Sequence, residues 1–188
     1  VCRLGAKLAD ALALAHTRQV LHCDIKPSNV LLDRYGRPLL ADFNVAVRVV
    51  TDEAVAPVGG TLAYMSPEQL AAFAGIADQP PVAPHSDLYA LGLVLAEALT
   101  GKPPPTADPR AEAHKLVLDM WNQRRADADD WMPAHRAEIP PEVWRVLRRC
   151  LAFNPAERYT TAADLASALR GAADLLDRQK ALPPPNRV

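Results

Sequence analysis

Glycine is scarce in this chain: eight of 188 residues, none of them in a G-x-G-x-x-G run. A backbone cradle for phosphates of that type is therefore missing from these residues. Cysteine is scarcer still. Cys2, Cys23 and Cys150 are odd in number, far apart and lack metal-ligand spacing, which argues against a disulfide framework and for a reducing compartment. No sign of charge dominates, with 21 basic against 22 acidic residues. No basic excess therefore suggests a nucleic acid or an anionic membrane as partner. Long apolar runs are missing too: the longest, residues 88–99, contains Glu97 and falls short of a membrane span. No signal peptide is visible, so a cytoplasmic setting is expected, either for the chain itself or as the cytoplasmic part of a longer membrane-anchored protein. The first residue is Val, which is expected of a fragment or of a non-standard start codon translated literally.

Proline, in contrast, is abundant (18), and it punctuates a chain of mostly helical pattern. Leu4, Leu8, Leu12 and Leu14, with alanines between, predict an amphipathic helix over 3–16. Gln19-Val20-Leu21 reads as a short strand. Residues 30–32 and 38–41 read as two strands around the turn 33–37. Gly59-Gly60 and Pro57 break any period in 42–68, a predicted loop. Ser66-Pro67-Glu68 opens a short helix with Pro at its first position.

The segment 87–100, capped by Ser86 or Asp87 and ended by Gly101, leaves no face for water and reads as the buried axle of the fold. Helices are predicted around 109–121, after Pro140-Pro141 as far as Leu151 and, capped by Thr161, near 162–177, with a polar loop at 122–139. Trp121, Trp131 and Trp144 read as packing residues of the helical lobe. A Pro-rich tail or linker, 178–188, closes the chain.

One stretch carries chemistry. Residues 22–32 read His-Cys-Asp-Ile-Lys-Pro-Ser-Asn-Val-Leu-Leu, and ten residues later comes Asp42-Phe43-Asn44. Phosphoryl transfer needs a carboxylate to take or orient a hydroxyl proton, a cation for the moving group and two oxygen ligands for Mg²⁺. Asp24, Lys26, Asn29 and Asp42 supply that set. A lone D-x-K-P would instead be a polar turn with an Asx cap.

The two segments resemble the catalytic loop (H-R-D-L-x-x-x-N) and metal-binding motif (D-F-G) of eukaryotic-type, or Hanks-type, protein kinases, bacterial kind. Lys26-Pro27 is similar to the serine/threonine branch. The resemblance covers residues 1–175 and the carboxyl-terminal lobe only. It implies a mainly α (α+β) fold, with helices around a buried central helix and a small β-hairpin, in one kinase unit over 1–177.

The resemblance also implies roles. Asp24 takes the substrate hydroxyl, Lys26 faces the γ-phosphoryl group of ATP, and Asn29 and Asp42 hold Mg²⁺. Leu31 forms the lower wall of the adenine pocket. Thr61, in Gly60-Thr61-Leu62-Ala63-Tyr64-Met65-Ser66-Pro67-Glu68, sits near Asp24 and Lys26 and helps hold the substrate. His22 packs in the core rather than acting as a base, and Phe43 is structural. Glu68 pairs, buried, with Arg158; read without the family, the two are a surface Glu and a helix-cap Arg. Asp87 hydrogen-bonds the catalytic-loop backbone; as a plain N-cap it looks the same.

Departures from the pattern qualify this. Cys23 stands where most kinases have Arg, so pairing with a phosphate on the activation loop is lost. Thr51 is the residue placed for such a phosphate. Asn44 stands for Gly and is the next best residue at positive φ. Within the 188 residues there is also no V-A-I-K lysine and no partner Glu on a preceding helix.

The expected partners are therefore an amino-terminal kinase lobe and a protein substrate with Ser or Thr. The isolated chain is expected to be inactive, because phosphoryl transfer depends on positioning and charge stabilisation. A non-catalytic, kinase-like interaction module is the alternative, and a small-molecule phosphotransferase a weaker third reading. An exposed apolar patch near Leu31 and Phe43 is expected where an amino lobe would sit.

Overall fold

A computed structural model describes residues 1–43, 62–108 and 110–181. Among them the helices are α1 (Cys2–Thr17), α2 (Pro67–Ala74), α3 (Pro84–Thr100), α4 (Ala113–Arg124), α5 (Ala128–Trp131), α6 (Pro133–Glu138), α7 (Pro141–Cys150) and α8 (Ala162–Ala181). One antiparallel hairpin joins β1 (Val30–Leu32) to β2 (Pro38–Leu40), with Leu31 opposite Leu39. The mainly α fold with a small hairpin is the carboxyl-lobe architecture expected from the sequence.

Helix α3 is the axle. Its residues 86–96 are all buried, and α1, α6, α7 and α8 pack around it. Each Leu or Val buried there contributes about 1.5–3 kcal/mol. The helix begins three residues before the predicted start, because Pro84 occupies the first turn and the Ser86 hydroxyl accepts from the Ala83 N–H at 3.1 Å. Its one charged residue beyond the first turn, Glu97, accepts a hydrogen bond from the Tyr64 hydroxyl. Gly92 lets α7 come close: a Cβ there would lie 2.8 Å from the Cys150 Cβ.

Helix α1 buries Cys2, Gly5, Ala6, Leu8, Ala9 and Leu12. Leu14 lies off that stripe and is exposed. Gln19–Leu21 is not a strand. The N–H groups of Arg18, Gln19 and Val20 bond back to the carbonyls of Ala15 and His16, and Gln19 takes φ +59°, so these residues form the helix's closing turn. The stretch 122–139, expected as a loop, holds α5 and α6 and buries Trp131, Met132, His135 and Ile139.

Helix α8 starts from a reciprocal cap, in which the Asp164 carboxylate accepts from the Thr161 N–H and the Thr161 hydroxyl accepts from the Asp164 N–H. It runs on through residues 178–181, the first part of the stretch read as a tail. Residues 182–188, like Asn44, Thr51 and Thr61, lie outside the described residues.

Candidate active site

The loop between α1 and β1 is held from three sides. At the first turn of α3, Asp87 is buried, and its carboxylate accepts from the backbone N–H of His22 (3.0 Å) and of Cys23 (2.9 Å) and from His16 Nε2 (2.8 Å). Cys23 sits at φ +62°, a conformation that costs a non-glycine residue about 1–2 kcal/mol. Its carbonyl accepts from Gln69 Nε2 on α2 at 2.7 Å. Both backbone polar groups of Cys23 are thus fixed by side chains from two helices.

The third hold is His22, fully buried. Its Nε2 lies 2.8 Å from the Ala41 carbonyl, which can only accept, so Nε2 carries the hydrogen. Nδ1 then accepts, at a long 3.4 Å, from the Asp24 N–H. The ring also packs on Phe43 with centroids 4.5 Å apart. His22 therefore links the loop to the segment that carries Asp42. A second link runs alongside, from the Ala41 N–H to the Asn29 carbonyl at 2.9 Å. Asp42 follows at φ +62°, exposed, with no hydrogen bond or ion pair among the described residues.

Asp24, Lys26 and Asn29 meet directly. Lys26 Nζ lies 2.8 Å from Asp24 Oδ2. The buried Asn29 amide donates to the Asp24 carbonyl at 2.8 Å and to Asp24 Oδ2 at 3.1 Å. Both amide hydrogens are committed to Asp24, which leaves the Asn29 side-chain oxygen as its remaining coordinating atom. Asp24 Oδ1 is buried and has no hydrogen-bond partner among the described residues. Chemically this is an anchored carboxylate with one oxygen held by a cation and an amide, and the other buried with its acceptor capacity unused among the described residues.

Among the described residues no three His, Cys, Asp or Glu side chains gather to hold a metal. An amide oxygen and one partnerless carboxylate nevertheless fit Mg²⁺, which takes few protein oxygens and completes its shell with water and phosphate oxygens.

The remaining residues support this centre. Glu68 and Arg158 form a buried, two-pronged pair (Nη1–Oε1 2.7 Å, Nη2–Oε2 3.0 Å). The other guanidinium hydrogens go to the carbonyls of His85, Phe153 and Ala152, and the Ser86 hydroxyl donates to Glu68 at 2.7 Å. Burial works to raise the Glu68 pKa, but the hydrogen bonds and charge of Arg158 outweigh it, and the net shift is downward. Cys23 has a thiol pushed up to about 12 by burial and by the charges of Asp87 and Asp24. Leu31 lies half exposed on the outward face of the hairpin beside Leu39.

Sequence reasoning missed three supports: Gln69, His16 and Arg124. The buried Arg124 donates to the Ala63 carbonyl at 2.9 Å and lies 3.9 Å over the Trp131 ring. Only Gln69 left a trace, since Ser66-x-x-Gln69 is a capping-box pattern.

The protein kinase domain family matches residues 2–169. The chain belongs to that family. Among its relatives are the serine/threonine-protein kinases PrkC of Bacillus subtilis (34% identical over 170 residues, 89% of this chain and 24% of the relative), PknD of Mycobacterium tuberculosis (34% over 178 residues, 93% and 25%) and PknB of Mycolicibacterium smegmatis (35% over 167 residues, 85% and 24%). These similarities place the kinase lobe with the Hanks-type bacterial branch. The chain spans about a quarter of the length of these relatives.

Proposed function

We propose that this lobe belongs to a protein serine/threonine kinase that transfers the γ-phosphoryl group of ATP to Ser or Thr hydroxyls of protein substrates. The observation that carries the reading is the Asp24 carboxylate, held through Oδ2 by Lys26 and Asn29 while the buried Oδ1 has no partner among the described residues. In this reading Oδ1 accepts the hydroxyl proton, Lys26 faces the transferred group, Leu31 lies under the adenine, and Thr61 helps hold the substrate. Asn29 and Asp42 hold Mg²⁺, which when bound with ATP neutralises the phosphate charge.

His22, Phe43 and Asp87 keep the loop in register, and the Glu68–Arg158 pair holds the segment after Thr61. The kinase unit is taken as residues 1–177, followed by a tail. Among the described residues no helix is long and apolar enough to cross a membrane; the proposed setting is cytoplasmic, as a separate chain or as part of an anchored one.

The 188 residues hold no Gly-rich loop and no V-A-I-K lysine, so the chain by itself is expected to be silent. The test is Mg²⁺-dependent transfer of labelled phosphate from ATP to a generic Ser/Thr substrate by the full-length gene product. Asp24→Ala should reduce it by about 10²–10⁴. No transfer by the intact product favours the second reading, a lobe that docks on another kinase. The exposed face formed by Leu31 and Leu39 supports that alternative.

A further inference from the structure

Outside the candidate active site, a groove of about 560 Å³ runs between the end of α4 and the helix α7. Arg125, Arg145, Arg148 and Arg149 line it, against Asp127 and Glu157. Asp127 is already engaged: it takes Arg148 on both oxygens, at 2.9 and 2.5 Å. The other three arginines meet no carboxylate in the groove. Arg125 lies 5.0 Å over the Trp121 ring and Arg149 lies 4.4 Å over the Tyr159 ring. Arg149 also reaches the backbone carbonyls of Glu157 and Arg158, at 3.4 Å, and bonds the Tyr159 side chain. Arg145 is exposed and makes no hydrogen bond or ion pair among the described residues. Guanidinium groups resting on aromatic faces are partly ordered before binding and still present their donors to an anion.

The groove has a direction. At Phe153 and Asn154 it shares its wall with a smaller, mostly apolar cleft of about 270 Å³ that reaches Pro155, Pro80 and Pro67. Pro67 follows the Leu62–Tyr64 turn, and Arg124, next to Arg125, bonds the Ala63 carbonyl in that same turn. The cleft at Pro67 and Pro80 thus continues the basic groove toward the start of α2, the helix that follows the Leu62–Tyr64 turn.

We propose that this face docks an acidic segment of the protein substrate, its apolar residues in the proline-lined cleft and its anionic side chains on Arg125, Arg145 and Arg149. The assignment to a substrate rests on the kinase reading, because only that reading makes the segment after Thr61 substrate-facing. The anion chemistry is shared by carboxylates and phosphoserine, and charge complementarity selects it over a neutral peptide.

The experiment reads binding without ATP, so an inactive enzyme leaves it decidable. Fluorescein-labelled 12-residue peptides are titrated with the 188-residue chain and followed by anisotropy: one rich in Asp and Glu, one with phosphoserine, one with Asn and Gln in place of the acids. Both anionic peptides are expected to bind and the neutral one to fail, with binding weakening as salt rises. Arg125→Glu with Arg145→Glu should weaken binding about tenfold or more while the unfolding midpoint stays unchanged. A much tighter phosphoserine peptide identifies phosphate as the preferred anion; equal binding shows that carboxylates suffice. No binding, equal binding by the charge-reversed variant, or tighter binding of a single-stranded RNA overturns the proposal.

Discussion

The Gln69 side-chain amide donates to the Cys23 carbonyl at 2.7 Å, and this one bond ties the helix after the Ser66 cap to the strained first residue of the Cys23–Asp24 pair. The same amide accepts from the Ser66 N–H through its oxygen. Gln69→Ala removes both bonds and leaves the Cys23 carbonyl without its partner. A loss of about 1–3 kcal/mol is expected in urea unfolding. Because Cys23 is at φ +62°, Cys23→Gly should be close to neutral, while Cys23→Val should destabilise by more than the glycine change does. Equal costs for the two would show that the backbone there is not held left-handed.

The buried pair Glu68–Arg158 sets an acid limit on stability. The Glu68 pKa is lowered in the folded state from its ordinary 4.5, so the unfolded chain takes up this proton first as pH falls. The stabilisation is complete above the unfolded value and is lost as pH drops through the folded one. Unfolding free energy should therefore fall more steeply below about pH 4.5 in the native chain than in Glu68→Gln. At pH 7, Arg158→Ala strands a buried carboxylate and should cost about 3–5 kcal/mol. Urea titrations at a series of pH values measure both.

What the sequence displayed and what it hid divide along a physical line. The regular elements α1, the hairpin and α3 announced themselves through leucine spacing, turn residues and an apolar run bounded by Asp87 and Gly101. Asp24, Lys26 and Asn29 stand out through their resemblance to a kinase motif, and the structure brings the three side chains into contact. The bond from His16 to Asp87 left no such mark, because a histidine in the last turn of a helix has no pattern to betray a partner 71 residues away. Helices α5 and α6, of four and six residues, are too short to display a period, and a polar composition hid the irregularly spaced buried residues Trp131, Met132, His135 and Ile139. Leu14 misled in the other direction: it continues a run of leucines but sits off the row formed by Leu4, Leu8 and Leu12.

The thiols should be unreactive in the native chain. Burial pushes Cys150 up to about 12 and raises Cys2, and Cys23 reaches about 12 between Asp87 and Asp24. The thiolate is the reacting species, so at pH 7.5 an aromatic disulfide reagent should label the folded chain very slowly. Three equivalents should appear once denaturant is added. Fast labelling of one thiol without denaturant, mapped to Cys23, would show that the loop between α1 and β1 opens.

The outward face of the hairpin carries the last expectation. Leu31 and Leu39 sit opposite one another and are about half exposed (50% and 52%). Cross-strand leucines on the wet side of a two-stranded sheet gain little from folding, and they offer an apolar surface to other chains. Leu31→Thr with Leu39→Thr should leave the unfolding midpoint nearly unchanged and raise the solubility of the 188-residue chain. In a longer product with ATP bound above Leu31, the same pair of changes should instead raise the KM for ATP. Light scattering of the isolated chain and nucleotide kinetics of the full product separate the two effects. A hairpin that unfolds on this double change would mean that the leucines hold the strands together rather than wait for a partner.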